Sequence, residues 1–276
     1  MHALRILHRL LSTRLPELHA KRLASLLAAV EAVVSGSRLT LSDVGRGLPG
    51  PVAVKHNIKR IDRLLGNGSL HAEMPKLYEA LVRNSLAGIS LPLIVVDGSD
   101  LTPDRHWQWL RASVAMEGRS MTLYEEVHPQ ARATSPRVHA AFLLRIKAML
   151  PRGCVPILIT DAGFRGPWFR LVNRMGWYWI GRIRNRDMVR LENDDTWVGC
   201  KTLYKLATSK AKALGHYHYV RKHPVPCRLV LMKRAKQGRH KKGKLGRRVR
   251  SKHSLKNASA QREPWLLAAS PKLAHL

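Results

Sequence analysis

Two apolar runs of strand length, each closed by an aspartate, constrain this chain most. LPLIVVDGSD carries Asp97 and CVPILITDAGF carries Asp161. Short runs rich in Val, Ile and Leu and bounded by Gly, Pro and Asp read as buried strands. Between them, WQWLRASVAMEGRSMTLYEEVHP reads as two more strands about a turn at Glu117 and Gly118, and HAAFLLRIKAML (139–150) as an amphipathic helix. GPWFRLVNRMG (166–176) has helical spacing with Pro167 at its start, and WYWIGRIR (177–184) is an aromatic, β-branched strand. Three strands, a helix, a strand, a helix and a strand predict a mixed α/β sheet rather than a doubly wound one.

In such a sheet ligands bind at the carboxyl ends of the strands. Adjacent strands lie about 4.8 Å apart, so Asp97 and Asp161 on neighbours are able to share a cation. Hard carboxylate oxygens suit Mg²⁺, which keeps waters and takes phosphate oxygens as further ligands. The alternative is that each aspartate is a turn acid capping its own backbone. Spacing leaves both readings open.

Ahead of the sheet, residues 1–85 read as helical. ELHAKRLASLLAAVEAVVSG has apolar residues near helical spacing and ends at Gly36. SRLTLSDVGRGLPG breaks the pattern. PVAVKHNIKRIDRLLGNG then reads as a helix started by Pro51 and ended by Gly66. Val54, Ile58, Ile61, Leu64 and Leu65 make its apolar face, and Lys55, Lys59, Arg60 and Arg63 decorate the rest. Short helices with a basic last member are what a DNA-reading module needs, and an ordinary charged surface helix is the alternative.

Charge narrows the partner. Forty-nine Lys and Arg against eighteen Asp and Glu give +31. Nucleic acid is the expected counterpart, because every neutralised phosphate releases counterions. An anionic membrane surface and a general RNA binder are the alternatives. Residues 196–262 hold 20 Lys and Arg and no acid. The run KRAKQGRHKKGKLGRRVRSKH (233–253), with Lys241, Lys242, Arg247 and Arg248, reads as a flexible basic loop contacting phosphates without base specificity. No apolar run approaches the roughly 20 residues of a membrane helix. Residues 23–36 come nearest, but Glu31 interrupts them. No signal peptide is evident, and Cys154, Cys200 and Cys227 are too scattered for a disulfide framework, so a cytoplasmic chain is expected. His216, His218, His223 and Cys227 have zinc-binding atom types at a spacing that matches no common zinc site.

Several of these segments together carry a resemblance. VVDGSDL, KHNIKRIDRLLGNG, LRASVAMEGRSMTLYE, ITDAGF with the following Pro-Trp, and GWYWIGRIR closely resemble the cut-and-paste DDE transposases of bacterial insertion sequences. They look most like the hairpin-forming subgroup whose third acid sits in a Tyr-x2-Arg-x3-Glu-x6-Lys signature. The resemblance implies an RNase H-like mixed-sheet core, an N-terminal helical DNA-binding domain and a basic β-rich insertion. On this chain they become a helical domain (1–88), the first part of the core (89–184), the insertion (185–262) and a returning core segment (263–276). Within the insertion, TWVGCKTLYKL and HYHYVRKHPVPCRLVLMKR read as strands, and EPWLLAAS as a short apolar run after it. The resemblance also implies two-metal phosphoryl transfer with Mg²⁺, or Mn²⁺ in its place. Asp97 would bridge both ions, Asp161 would hold one, and a glutamate the other. Water would free a 3′-OH at the element end, that 3′-OH would attack the opposite strand to form a hairpin, water would reopen the hairpin, and the regenerated 3′-OH would attack target DNA. Implied partners are double-stranded DNA, as terminal inverted repeats and target, and further copies of the chain in a synaptic complex at the bacterial nucleoid.

The chain departs from that pattern at its end. No Tyr-x2-Arg-x3-Glu-x6-Lys occurs, and seven residues follow Ala269, where relatives continue well beyond. The expectation is a break near residue 269, such as a frameshift, and a chain inactive alone. Glu263 precedes the last strand, and the family gives Asp100 and Glu117 no ligand duty. Gly98 stands where relatives often carry Trp, which predicts a looser backbone beside Asp97. The alternatives to an active transposase are a truncated DNA-binding regulator that blocks the full enzyme and a decayed remnant.

Overall fold

The computed structural model describes residues 2–184, 187–233, 245–252, 254, 255, 258 and 263–275. The chain divides into two compact units, residues 1–88 with 146–152 and residues 89–145 with 153–276.

The first unit is helical. Its helices are α1 (His2–Arg14), α2 (Ala20–Val34), α3 (Leu41–Gly47), α4 (Val54–Leu65) and α5 (Gly68–Ser85). Leu11, Leu23, Leu27, Val44, Ile61, Leu64, Leu70 and Leu77 meet in one buried cluster. Local chemistry sets the helix starts. The Thr40 hydroxyl accepts from the Asp43 N–H at 3.1 Å to cap α3, and the Asn67 carbonyl oxygen accepts from the Leu70 N–H at 2.9 Å to cap α5. Helix α3 packs its bare Gly45 backbone on α4, since a Cβ there would lie 2.7 Å from Ile58 Cα. The basic helix begins at Val54 rather than Pro51 because Gly50, with φ of 111°, is still turning the chain. Its buried face is Asn57, Ile61 and Leu64. Val54 and Leu65, the first and last residues of α4, overhang the core and stay exposed.

The second unit is built on one ten-stranded sheet. Its strands are β1 (Leu93–Asp100), β2 (Trp107–Met116), β3 (Arg119–Pro129), β4 (Ile157–Thr160), β5 (Tyr178–Ile183), β6 (Met188–Leu191), β7 (Val198–Gly199), β8 (Lys212–Tyr219), β9 (Val225–Met232) and β10 (Trp265–Ala269). Helices α6 (Pro136–Met149) and α7 (Gly166–Arg174) link β3 to β4 and β4 to β5. The order is β3-β2-β1-β4-β5-β10-β9-β8-β6-β7. Strands β1, β4 and β5 run parallel, and every other neighbouring pair is antiparallel. After β5 the chain crosses to the far edge and returns strand by strand, so β6–β9 extend the core sheet through β10. The β2–β3 hairpin turns at Gly118, whose φ is 66°.

Helix α7 covers the β5 face that carries Trp179 and Ile183. Gly181 lies between them, and a Cβ there would fall 2.3 Å from the Phe169 ring. With that space open, Phe169 stacks on Trp179 at 4.1 Å between centroids. The reading of TWVGCKTLYKL as a strand is corrected: only Val198–Gly199 pairs, and residues 200–206 wind as a 3₁₀ helix. Cys200 and Leu203 are the buried pair there, and a spacing of three suits the tighter helix.

Candidate active site

Asp97 lies within β1, and Asp161 immediately follows β4. The parallel register pairs Val96 with Thr160, so the next step along both strands brings the two aspartates side by side at their carboxyl ends. Each uses one oxygen locally. Asp97 Oδ1 accepts from the Gly98 N–H at 2.9 Å, and Asp161 Oδ1 accepts from the Gly163 N–H at 2.8 Å. A Cβ at Gly163 would lie 2.9 Å from Asp161 Oδ1, so a side chain there would displace that carboxylate oxygen. The second oxygen of each aspartate has no hydrogen-bond partner among the described residues. Each side chain thus caps its own turn with one oxygen and leaves the other without a hydrogen bond among the described residues. Burial and then the charge of Asp161 push the Asp97 carboxyl above its ordinary value, opposed by the Gly98 N–H.

The same register step crosses the sheet. Asp97 pairs with Arg111 on β2, and Arg111 with Glu125 on β3. On the other side Thr160 pairs with Gly181, which sets Arg182 beside Asp161. Glu125, Arg111, Asp97, Asp161 and Arg182 therefore form one row on one face, with arginines flanking the carboxylate pair. Arg182 Nε and Nη2 are buried and make no hydrogen bond among the described residues. Burial and the neighbouring Arg184 push this guanidinium below its ordinary value, while Tyr204, Glu263 and Asp161 oppose that. Sequence alone does not reveal the two arginines, because their place beside the acids depends on pairing register.

The remaining acids are otherwise engaged. Glu263 binds Arg184 at 3.1 Å and Lys201 at 3.7 Å. Asp100 emerges on the opposite face of β1 from Asp97 and pairs with Arg105 at 3.2 Å. Glu117 is exposed in the β2–β3 turn. Gly98 pairs regularly with Leu110 and admits Gln108, whose Nε2 would lie 3.2 Å from a Cβ. Among the described residues no cluster of three His, Cys, Asp or Glu is placed to hold a metal. Cys227 is buried and pairs with Tyr217, on the face of β8 opposite His216 and His218.

Lys55, Lys59, Arg60 and Arg63 are all exposed on α4. Arg60 and Arg63 line a cleft of about 360 Å³ with His19, Lys21, Arg22 and Ser25. Arg60 donates to the Ser25 hydroxyl at 3.2 Å, and Glu73 holds Arg22. Arg247 and Arg248 are exposed, whereas Lys241 and Lys242 lie outside the described residues. No helix among the described residues is long and apolar enough to cross a membrane.

Three parallel strands flanked by an antiparallel hairpin in the order β3-β2-β1-β4-β5, with carboxylates at adjacent strand ends, define an RNase H-like core. The profile of the transposase DDE domain family matches residues 90–263, and the chain belongs to that family. Its function in general is that of a transposase acting on DNA, and the family generally uses divalent metal ions. No match was found among curated proteins.

Proposed function

We propose that this chain acts on the ends of a mobile DNA element, binding terminal inverted repeats through the helical unit and cutting at Asp97 and Asp161. The carrying observation is the carboxylate pair one register step beyond Val96 and Thr160, each with a second oxygen that makes no hydrogen bond among the described residues. Asp97 and Asp161 are the residues that would hold Mg²⁺, or Mn²⁺ in its place. The donor set fits: two hard carboxylates, with waters and substrate phosphate completing the shell. When bound, the ion would lower the pKa of an attacking water and neutralise charge on the phosphate under attack. The chain's own part is to position. The carboxylates would fix where the phosphate sits, and the Gly98 and Gly163 N–H groups hold them in place. On α4, Lys55, Lys59, Arg60 and Arg63 supply phosphate contacts, and Arg247 and Arg248, with Lys241 and Lys242 in the same run, add a second basic surface.

Strand cleavage followed by a hairpin on the opposite strand is the reaction this reading assigns to the family core. A two-metal site needs a third carboxylate beside Asp97, and none of the described acids stands there. That observation favours a second reading, in which residues 1–276 alone occupy element ends without cutting and act as a regulator of a complete transposase.

Mn²⁺ titration followed by electron paramagnetic resonance tests the site. Wild type should bind the ion, and Asp97→Asn and Asp161→Asn should each weaken binding at least about tenfold. Unchanged binding in both variants removes the metal reading. Mg²⁺-dependent nicking or hairpin formation by the purified chain would establish cutting and overturn the regulator reading.

A further inference from the structure

We propose that Arg111 is a built phosphate contact, holding the DNA backbone one phosphate away from the one lying over Asp97 and Asp161. The inference rests on the reading that those two aspartates mark the reacting phosphate. Arg111 is the direct cross-strand partner of Asp97, so both side chains leave the sheet on the same face. It does not turn toward that carboxylate. Its Nε donates to Glu125 Oε2 at 3.0 Å, and its guanidinium carbon lies 3.5 Å from the centroid of the Trp109 ring. Trp109 sits two residues away on β2, hence on the same face, with its ring beneath the guanidinium.

Glu125 and Trp109 together fix an otherwise flexible side chain. Its terminal nitrogens make no hydrogen bond among the described residues, and the side chain is about one-third exposed at 36%. A guanidinium with one edge tied and the other open presents the fork that phosphate oxygens accept. Its backbone lies one strand spacing, about 4.8 Å, from that of Asp97. Successive phosphates on one DNA strand advance about 3.4 Å along the helix axis and further along the backbone itself. A strand crossing the carboxylate row therefore carries a neighbouring phosphate to Arg111. An ordinary cross-strand ion pair explains the contact with Glu125. It does not explain a guanidinium beside a pair of acids that is seated on Trp109 and whose terminal nitrogens make no hydrogen bond among the described residues.

The test uses the whole chain and a short blunt-ended duplex, with affinity measured in Mg²⁺ across a salt series. Arg111→Gln should lower affinity roughly ten- to hundredfold and reduce the slope of log K against log salt by about 0.9, the signature of one lost phosphate. Arg111→Lys keeps a charge and should restore the slope while recovering only part of the affinity. Glu125→Gln should weaken binding less than Arg111→Gln and leave the slope unchanged. If Arg111 only ties two strands together, Arg111→Gln lowers the melting temperature with affinity and slope intact, and the proposal falls. Mn²⁺ binding by Asp97→Asn separates the two claims. Lost Mn²⁺ binding with a silent Arg111→Gln overturns this inference alone. Retained Mn²⁺ binding with a reduced Arg111→Gln slope overturns the metal reading and leaves a phosphate contact.

Discussion

At Asp97 the fold leaves an exposed carboxylate beside a second carboxylate, with Arg111 turned away toward Glu125. The folded carboxyl titrates above its unfolded value, chiefly through burial. A raised carboxyl opposes folding at neutral pH, and that opposition fades as pH falls through the raised value. In metal-free buffer Asp97→Asn should therefore stabilise the chain, by less than about 1 kcal/mol because the site is open to solvent. A melting temperature higher by about 1–3 °C is expected. Because protonation removes the same charge, the advantage over wild type should shrink as pH drops into the carboxyl range. A melting temperature lower than wild type at neutral pH would mean that Asp97 stabilises the fold rather than opposing it. Both aspartates were legible in the sequence as polar ends of apolar strands. Arg111 and Arg182 were not, because their place beside the acids depends on which β2 and β5 residues stand opposite Asp97 and Asp161. Register is a tertiary property, and β2 and β3 carry an irregularity between Ala112 and Ser113 that shifts it again.

Two glycines set how closely elements approach. Gly181 admits the Phe169 ring, so Gly181→Ala pushes α7 from β5 and unstacks Phe169 from Trp179. Overpacking of this kind costs about 1–3 kcal/mol, or about 2–4 °C of melting temperature per kcal/mol in a domain of this size. Gly45→Ala is the sharper case. Helix propensity alone predicts a gain of about 1 kcal/mol for the exchange. The new Cβ, however, meets the backbone of α4, with Ile58 Cα at 2.7 Å and Ile58 N at 2.9 Å. Backbone yields far less readily than a side-chain tip, so the net sign should be destabilising, and displacement of α4 should weaken duplex binding as well. Unchanged melting and binding would show that α3 and α4 separate freely. The sequence displayed most elements, since the apolar runs of β1, β4 and β5 and the periodicity of α2, α4 and α6 are strong signals. It misread residues 200–206, where β-branched and aromatic neighbours imitate a strand while the burial of Cys200 and Leu203 repeats every third residue. It also assigned Val54 and Leu65 to a core that α4 overhangs at both ends.

Across the whole molecule, +31 is spread between two units whose cations stand in different surroundings. On α4 and at Arg247 and Arg248 the basic groups are exposed and require no metal to meet a phosphate. Near the carboxylates, Arg111 and Arg182 are partly buried and aligned with acids. If these exposed cations carry duplex binding, it should survive chelation of divalent ions, because a cation–phosphate pair needs no metal. It should also fall steeply with salt. If six to ten phosphates are neutralised, affinity drops by about 10³–10⁵ between roughly 50 and 200 mM. The informative comparison is made at one salt, with and without chelator, on a duplex carrying the element's end and on one of random sequence. A preference for the element end that survives chelation would assign recognition to the helical unit and the exposed cations of α4. A preference that vanishes with the metal places recognition at the carboxylate row, and the helical unit then supplies only charge. Equal binding to both sequences leaves a general polyanion surface and removes the role of α4 in selecting element ends.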